Sequence, residues 1–190
     1  LAEWLEAVGF DRGLNEPAVY YHAERDLLVL TFVDNLLIDG FESDIKWFLA
    51  ELEERFDCKD PETVEEDSPL DYLGMEITRI GNTIYLSMEK YIDYALESLG
   101  WNSLKIAQTP IRRQINPEGD SPKLPSHLQS KFHTANGMLG WLQLTGRPDV
   151  SYAYSRIGQH QANPTEDALD AVEYAFRYLK GTKHLCLTGP

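Results

Sequence analysis

Leu27-Leu28-Val29-Leu30-Thr31-Phe32-Val33-Asp34-Asn35-Leu36-Leu37-Ile38-Asp39-Gly40 consists of two short apolar runs on either side of one polar pair. The β-branched and aliphatic content of both runs suits strands, and Asp34-Asn35 between them suits a tight turn. Ala18-Val19-Tyr20-Tyr21-His22, ahead of a polar turn at Ala23–Asp26, supplies the preceding strand of a meander. Downstream, Ile45, Phe48, Leu49, Leu52 and Phe56 form one helical stripe, with Ser43 as the expected N-cap. Asp57–Pro69, with two prolines and many acids, reads as an exposed loop.

A second set of strands follows. Tyr72-Leu73-Gly74-Met75-Glu76-Ile77 and Thr83-Ile84-Tyr85-Leu86 flank a Gly81-Asn82 turn and read as a hairpin. Ser87 is the expected cap of a helix that carries Ile92, Ala95, Leu96 and Leu99 inward and stops at Gly100. Trp101–Pro125, with four prolines, reads as a linker. The last third is helical. Phe132, Ala135, Leu139 and Leu142 keep helical spacing, Gly137 and Gly140 allow close approach, and Arg147-Pro148 ends the pattern. A further helix is expected near Asp149–Gln161. The final one is expected to start at Asn163-Pro164, with Glu166 reaching back, and to stop at Gly181. The fold class is therefore α/β in the α+β sense: antiparallel hairpins with a packed helix, then a helical region.

The chain has 190 residues, of which 43% are hydrophobic, so it can bury a core and is not a disordered chain. No apolar run approaches the roughly 18 residues of a membrane span, and no membrane partner is expected. Its amphipathic, acidic start is not a targeting peptide. With no initiator Met, it is expected to be a piece of something longer. Two cysteines, Cys58 and Cys186, make neither a disulfide framework nor a cysteine zinc site, and an intracellular location, cytoplasmic or nuclear, is the expectation. The five histidines lack ligand spacing, and the four tryptophans read as packing residues. The formal net charge is −14, unevenly spread. Leu1–Leu99 holds 24 acids and seven bases, whereas Gly100–Pro190 holds seven acids and ten bases. Acidity of this kind opposes nucleic acid at long range, but a basic second half can still hold phosphates locally.

An ordered series of motifs carries more than any single one. Phe32-Val33-Asp34-Asn35, Tyr72-Leu73-Gly74-Met75-Glu76-Ile77, Leu86-Ser87-Met88-Glu89-Lys90-Tyr91-Ile92, Thr109-Pro110, Gly146-Arg147-Pro148-Asp149-Val150 and Arg177-Tyr178-Leu179-Lys180-Gly181-Thr182 stand in this order. In that order and spacing the chain resembles the reverse transcriptase of copia-type retrotransposons, part of the Pol polyprotein, along nearly its whole length. In that family the first box is Tyr-Val-Asp-Asp.

The resemblance implies roles. Residues 1–86 would be a partial palm with a primer-grip-like hairpin, 87–125 a thumb-like helix and linker, and 126–190 a helical connection leading toward an RNase H domain. Asp34 would be the catalytic carboxylate and magnesium ligand, with Asn35 beside it. Leu73, Gly74, Met75 and Glu76 would form the primer grip. The function implied is RNA-directed DNA polymerase, with two-metal nucleotidyl transfer in the full protein. The implied partners are an RNA or DNA template-primer, an upstream fingers and palm segment, and a downstream RNase H. Lys105, Arg112 and Arg113 are the linker cations placed for nucleic acid, with Arg147, Arg156, Arg177, Lys180 and Lys183 weighed evenly against surface charge. For Arg147 a local ion pair with Asp149 is the favoured reading.

The departures are as informative. Asn35 stands where the family has Asp, and a neutral amide is a poorer magnesium ligand than a carboxylate. The family's other palm Asp lies upstream of this chain, and Asp39 is too far along the returning strand to replace it. The isolated chain is therefore expected to be inactive. The other class weighed is a degenerate or domesticated module serving as a structural or protein-interaction subunit. A non-polymerase enzyme on a ferredoxin-like sheet has no motif behind it.

Overall fold

The computed structural model describes residues 1–64, 68–112 and 121–189. The chain divides into two compact units, Leu1–Pro61 and Glu62–Pro190. That boundary lies before the second hairpin set, whereas the sequence grouped residues 1–86 together.

In the first unit, α1 (Ala2–Ala7) is followed by β1 (Asp11–Arg12), β2 (Val19–His22), β3 (Leu27–Phe32), β4 (Asn35–Asp39) and α2 (Glu42–Glu53). The strands pair antiparallel in sequential order β1-β2-β3-β4. Register decides which side chains enter the core. Val29 lies opposite both Tyr20 and Ile38, and this row packs inward with Leu27. Leu30, opposite Val19 and Leu37, belongs to the other face and is only half-buried. Phe48 and Leu52 of α2 complete the core, and Phe48 touches Trp4 and Phe10 at ring separations of 6.0 and 5.3 Å. Helix α2 starts two residues earlier than expected. Phe41 is its N-cap in extended geometry and makes no side-chain cap bond, while the Ser43 hydroxyl turns to Asp44. Glu42 and Asp44 in the first turn face the positive end of the helix dipole, which favours the start there.

The second unit contains β5 (Leu70–Tyr72), β6 (Met75–Ile80), β7 (Thr83–Ser87), α3 (Glu89–Leu99), α4 (Ser126–Thr145), a 3-10 turn (Pro148–Val150), α5 (Ser151–Gly158), α6 (Glu166–Gly181) and β8 (Leu187–Gly189). The expected strand Tyr72–Ile77 is broken by a tight turn at Leu73-Gly74, where both residues have positive φ, 55° and 78°. This is the mirror-image turn geometry that matches the twist of a two-residue hairpin. The expected helical end of the chain also needs correction. After α6 the chain returns as β8, which pairs with β7 and completes the order β5-β6-β7-β8.

The helical core joins Ile92 and Leu96 of α3, Phe132 and Leu139 of α4, and Phe176 and Leu179 of α6. Gly140 permits the close approach predicted for it, since a Cβ there would lie 2.8 Å from the Tyr154 ring. Gly137 has open space around it and plays no such part. Gly100 ends α3 at φ 71°. Helix α6 begins later than expected. Thr165 is its cap and accepts from the Ala168 amide, and Gly181 is its last residue rather than the one beyond it. Among the described residues no helix is long and apolar enough to cross a membrane.

One charged group sits inside this unit. Arg147 is 1% exposed and each of its three nitrogens has an acceptor. Nε and Nη2 donate to the two Asp149 carboxylate oxygens at 2.9 and 2.7 Å. Nη1 donates to the Thr182 carbonyl at 3.0 Å and Nη2 to the Thr182 hydroxyl at 2.7 Å. Tyr178 donates its hydroxyl to Asp149 at 2.8 Å. The cluster ties the α4–α5 corner to the end of α6, as the favoured local reading of Arg147 required. Burial pushes the Asp149 carboxyl up, but the hydrogen bonds from Arg147 and Tyr178 and the Arg147 charge outweigh it and hold the group below its ordinary value.

A depressed carboxyl stabilises the fold fully above the unfolded value of about 3.9 and loses that contribution as pH falls through the lower folded value. Arg147→Ala strands the carboxylate, and a loss of about 3 kcal/mol is expected by chemical denaturation. Arg147→Lys is expected not to rescue it, because one ammonium cannot reproduce the fork. Asp149→Asn is expected to flatten the fall in stability below about pH 4.

Candidate active site

The β3–β4 hairpin presents the candidate carboxylate. Phe32 pairs with Asn35, so the two central turn residues are Val33 and Asp34. The sequence had put Asp34-Asn35 in that place. Asn35 is instead the first residue of β4, because the ladder extends one pair further than the apolar runs suggest. Val33 carries φ 52°, a left-handed conformation costly for a β-branched side chain. It is also 81% exposed, so no packing of its own side chain offsets that cost. The ladder on both sides holds the turn in this form, and the result is an Asp34 lifted to the tip of a rigid ribbon.

Asp34 and Asn35 are both exposed, and neither side chain has a hydrogen-bond or ion-pair partner among the described residues. Asp34 therefore has free oxygen lone pairs of the kind a hard divalent cation takes, and it fits magnesium as one ligand. Asp39 pairs with Leu28 at the other end of the ribbon, about 13 Å from Asn35 at the usual rise per residue. Among the described residues no group of three or more His, Cys, Asp or Glu side chains could hold a metal. The hairpin thus supplies one carboxylate, not a complete two-metal site.

The other candidate residues lie in the second unit. Leu73 and Gly74 form the tight turn, Met75 packs against the helical core, and Glu76 makes an ion pair of 2.9 Å with Lys90 of α3. That pairing and its hydrogen bond hold the Lys90 ammonium above its ordinary value.

Of the linker cations, Lys105 and Arg112 are exposed, and Arg113 lies outside the described residues. Several helical cations weighed for phosphate contact have internal partners. Arg147 is buried in its own cluster. Lys180 donates to the carbonyls of Asn102 and Leu104. Lys183 pairs with Asp93 at 2.8 Å and Glu89 at 3.5 Å. Sequence reasoning missed Tyr174, against which Arg112 stacks at 4.6 Å. An aromatic on a helical face carries no local mark of such a contact.

No protein-family model matches the chain, and no solved structure matches it significantly. Curated proteins do. Over 190 residues the chain is 30% identical to "Retrovirus-related Pol polyprotein from transposon RE2" of Arabidopsis thaliana, a match covering 96% of this chain and 12% of that protein. It is 27% identical to the Pol polyprotein from transposon TNT 1-94 of Nicotiana tabacum, covering 91% of this chain and 14% of that one. An uncharacterized mitochondrial protein of Arabidopsis thaliana is 30% identical over 157 residues, covering 82% of this chain and 62% of that protein. The chain thus spans about an eighth of the first of these relatives.

Val33→Gly removes the left-handed strain at the tip and is expected to raise the stability of the first unit by about 1 kcal/mol, read by hydrogen exchange of the β3 and β4 amides.

Proposed function

We propose, for a chain that is a relative of one segment of retrotransposon Pol polyproteins, that it is part of a reverse transcriptase, an RNA-directed DNA polymerase of copia type. The observation that carries this reading is a carboxylate, Asp34, unpartnered among the described residues, at the tip of a strained hairpin within the ordered motif series. In the full protein, divalent magnesium would lower the barrier to nucleotidyl transfer by activating the primer 3′ hydroxyl and neutralising charge on the leaving pyrophosphate. Asp34 would hold one such ion. The paired strands β3 and β4 fix its position, and Asn35 contributes a weaker neutral oxygen. The Leu73–Glu76 turn would face the primer end. Lys105, Arg112 and Arg113 would meet backbone phosphates of an RNA or DNA template-primer. Upstream fingers and palm and a downstream RNase H would complete the enzyme, which would work inside the cell, in cytoplasm or nucleus.

A second reading has its own support. Asn35 in the motif, the lack of a metal-holding group of three or more His, Cys, Asp or Glu side chains among the described residues, and 15 acids against five bases in Leu1–Pro61 all suit a module kept for structure or protein contact.

Primer extension on an RNA template with magnesium separates the two. The purified chain is expected to give no product. A chimera carrying this chain in place of the matched segment of a retrotransposon Pol polyprotein is expected to synthesise DNA, and Asp34→Ala to reduce the rate at least a hundredfold, on the order of losing an electrostatic catalytic group. Synthesis by the chimera that survives Asp34→Ala overturns the polymerase reading, and an inactive chimera that still assembles favours the structural module.

A further inference from the structure

Residues 101–112 lie along α6 in antiparallel sense, anchored by Trp101, Leu104 and Ile111 at the helical core and by a series of polar bonds to α6. Lys180 reaches the carbonyls of Asn102 and Leu104, Arg177 Nε donates to the Lys105 carbonyl at 2.7 Å, and the Ala107 amide donates to the Arg177 carbonyl at 3.1 Å. Further along, the Thr109 and Tyr174 hydroxyls meet at 3.4 Å. This path brings two guanidinium groups to one aromatic ring. The Arg112 group lies 4.6 Å from the centroid of Tyr174, and the Arg177 group 5.4 Å from the same centroid. Their central carbons are therefore at most about 10 Å apart, within a Debye length at ordinary ionic strength.

Two like charges so placed repel each other, and the ring quadrupole offsets only part of that. A counter-charge is the usual remedy, yet neither arginine is in an ion pair among the described residues. Glu173, one turn before Arg177 on α6, stays beyond ion-pair distance of both. Among the described residues Arg112 has no hydrogen bond and Arg177 uses only its Nε, so the outer nitrogens of both forks remain available. Both groups are already oriented, Arg177 by the Lys105 carbonyl and Arg112 by the ring, so little side-chain entropy remains to be lost on binding an anion.

The geometry points to a phosphate-binding site formed by Arg112 and Arg177 over Tyr174. Resting on the polymerase reading, its ligand is the phosphate backbone of a nucleic-acid strand. Guanidinium forks match phosphate oxygens bidentately, and two forks held at one ring can take one phosphate or two neighbouring ones. This explains how a chain of net charge −14 can hold nucleic acid, by a preorganised local site rather than by its overall field.

The test uses the full chain without divalent metal, so that Asp34 plays no part. Anisotropy of a labelled RNA–DNA hybrid is followed from about 50 to about 200 mM salt, beside NMR titration of inorganic phosphate against the Tyr174 ring signals. Arg112→Gln, at an exposed position, is expected to leave the thermal midpoint unchanged and to reduce the slope of log affinity against log salt by about 0.7 to 0.9. Across that salt range the variant is thus expected to lose roughly threefold less affinity than the parent. Arg112→Lys, which keeps the charge without the fork, is expected to fall between the two. A Tyr174 response to phosphate that Arg112→Gln abolishes, without hybrid binding, keeps the anion site and removes the polymerase reading as its rationale. Hybrid affinity and phosphate response both unaltered by Arg112→Gln overturn the proposal. So does binding confined to an acidic peptide.

Discussion

The second unit depends on a guanidinium that water does not reach. Removing Arg147 from solvent is costly, and the cost is met only because each of its three nitrogens finds an oxygen. Asp149 accepts two of those bonds, and the Thr182 carbonyl and hydroxyl accept two more. The consequence is geometric. The end of α4, the start of α5 and the end of α6 meet at one point. From there Lys183 reaches Glu89 and Asp93 on α3, and β8 can run on to pair with β7. Two motifs far apart in the chain, Arg147-Pro148-Asp149 and Tyr178-Leu179-Lys180-Gly181-Thr182, are thus one structural device. Several of their charged residues are engaged within the protein and are not offered to a ligand.

The first unit follows a different logic. Its sheet is a simple sequential meander, and its candidate site is a local departure at the tip. Val33 occupies a backbone region that β-branched residues avoid, and the paired strands over-determine it. Strain of about 1 to 3 kcal/mol at such a position persists only when the surroundings hold it. Here it projects Asp34 outward, without a partner among the described residues. A relaxed glycine turn would be more stable and less exacting about the direction of that side chain.

Much of this was legible from the residues alone. Apolar, β-branched runs between polar turns marked β2, β3 and β4, and period-3.6 spacing marked α2, α3 and α4. Each pattern reflects burial of one face, a property of neighbouring residues. The caps were legible less well. Ser43 and Asn163 have the right chemistry, yet Phe41 and Thr165 hold the cap positions, because the incoming chain direction selects where the helix opens. The Leu73-Gly74 turn was hidden for a similar reason. Leucine has no turn preference, and only the pairing of β5 with β6 requires positive φ there. The three residues of β8 were also invisible, since a strand so short is defined by its partner.

For the candidate site, the sequence by itself determined Asp34, its place between two apolar strands, the missing acid at Asn35 and the order of motifs that relates the chain to retrotransposon Pol polyproteins. These are matters of residue identity and short spacing. Only the tertiary structure decided that Val33 rather than Asn35 shares the turn with Asp34, that Arg147, Lys180 and Lys183 serve the fold, and that Arg112 and Arg177 share Tyr174. Each of those outcomes brings together residues distant along the chain or sets a ladder register. A side chain's availability for a ligand depends on what else it touches, and that is settled in space.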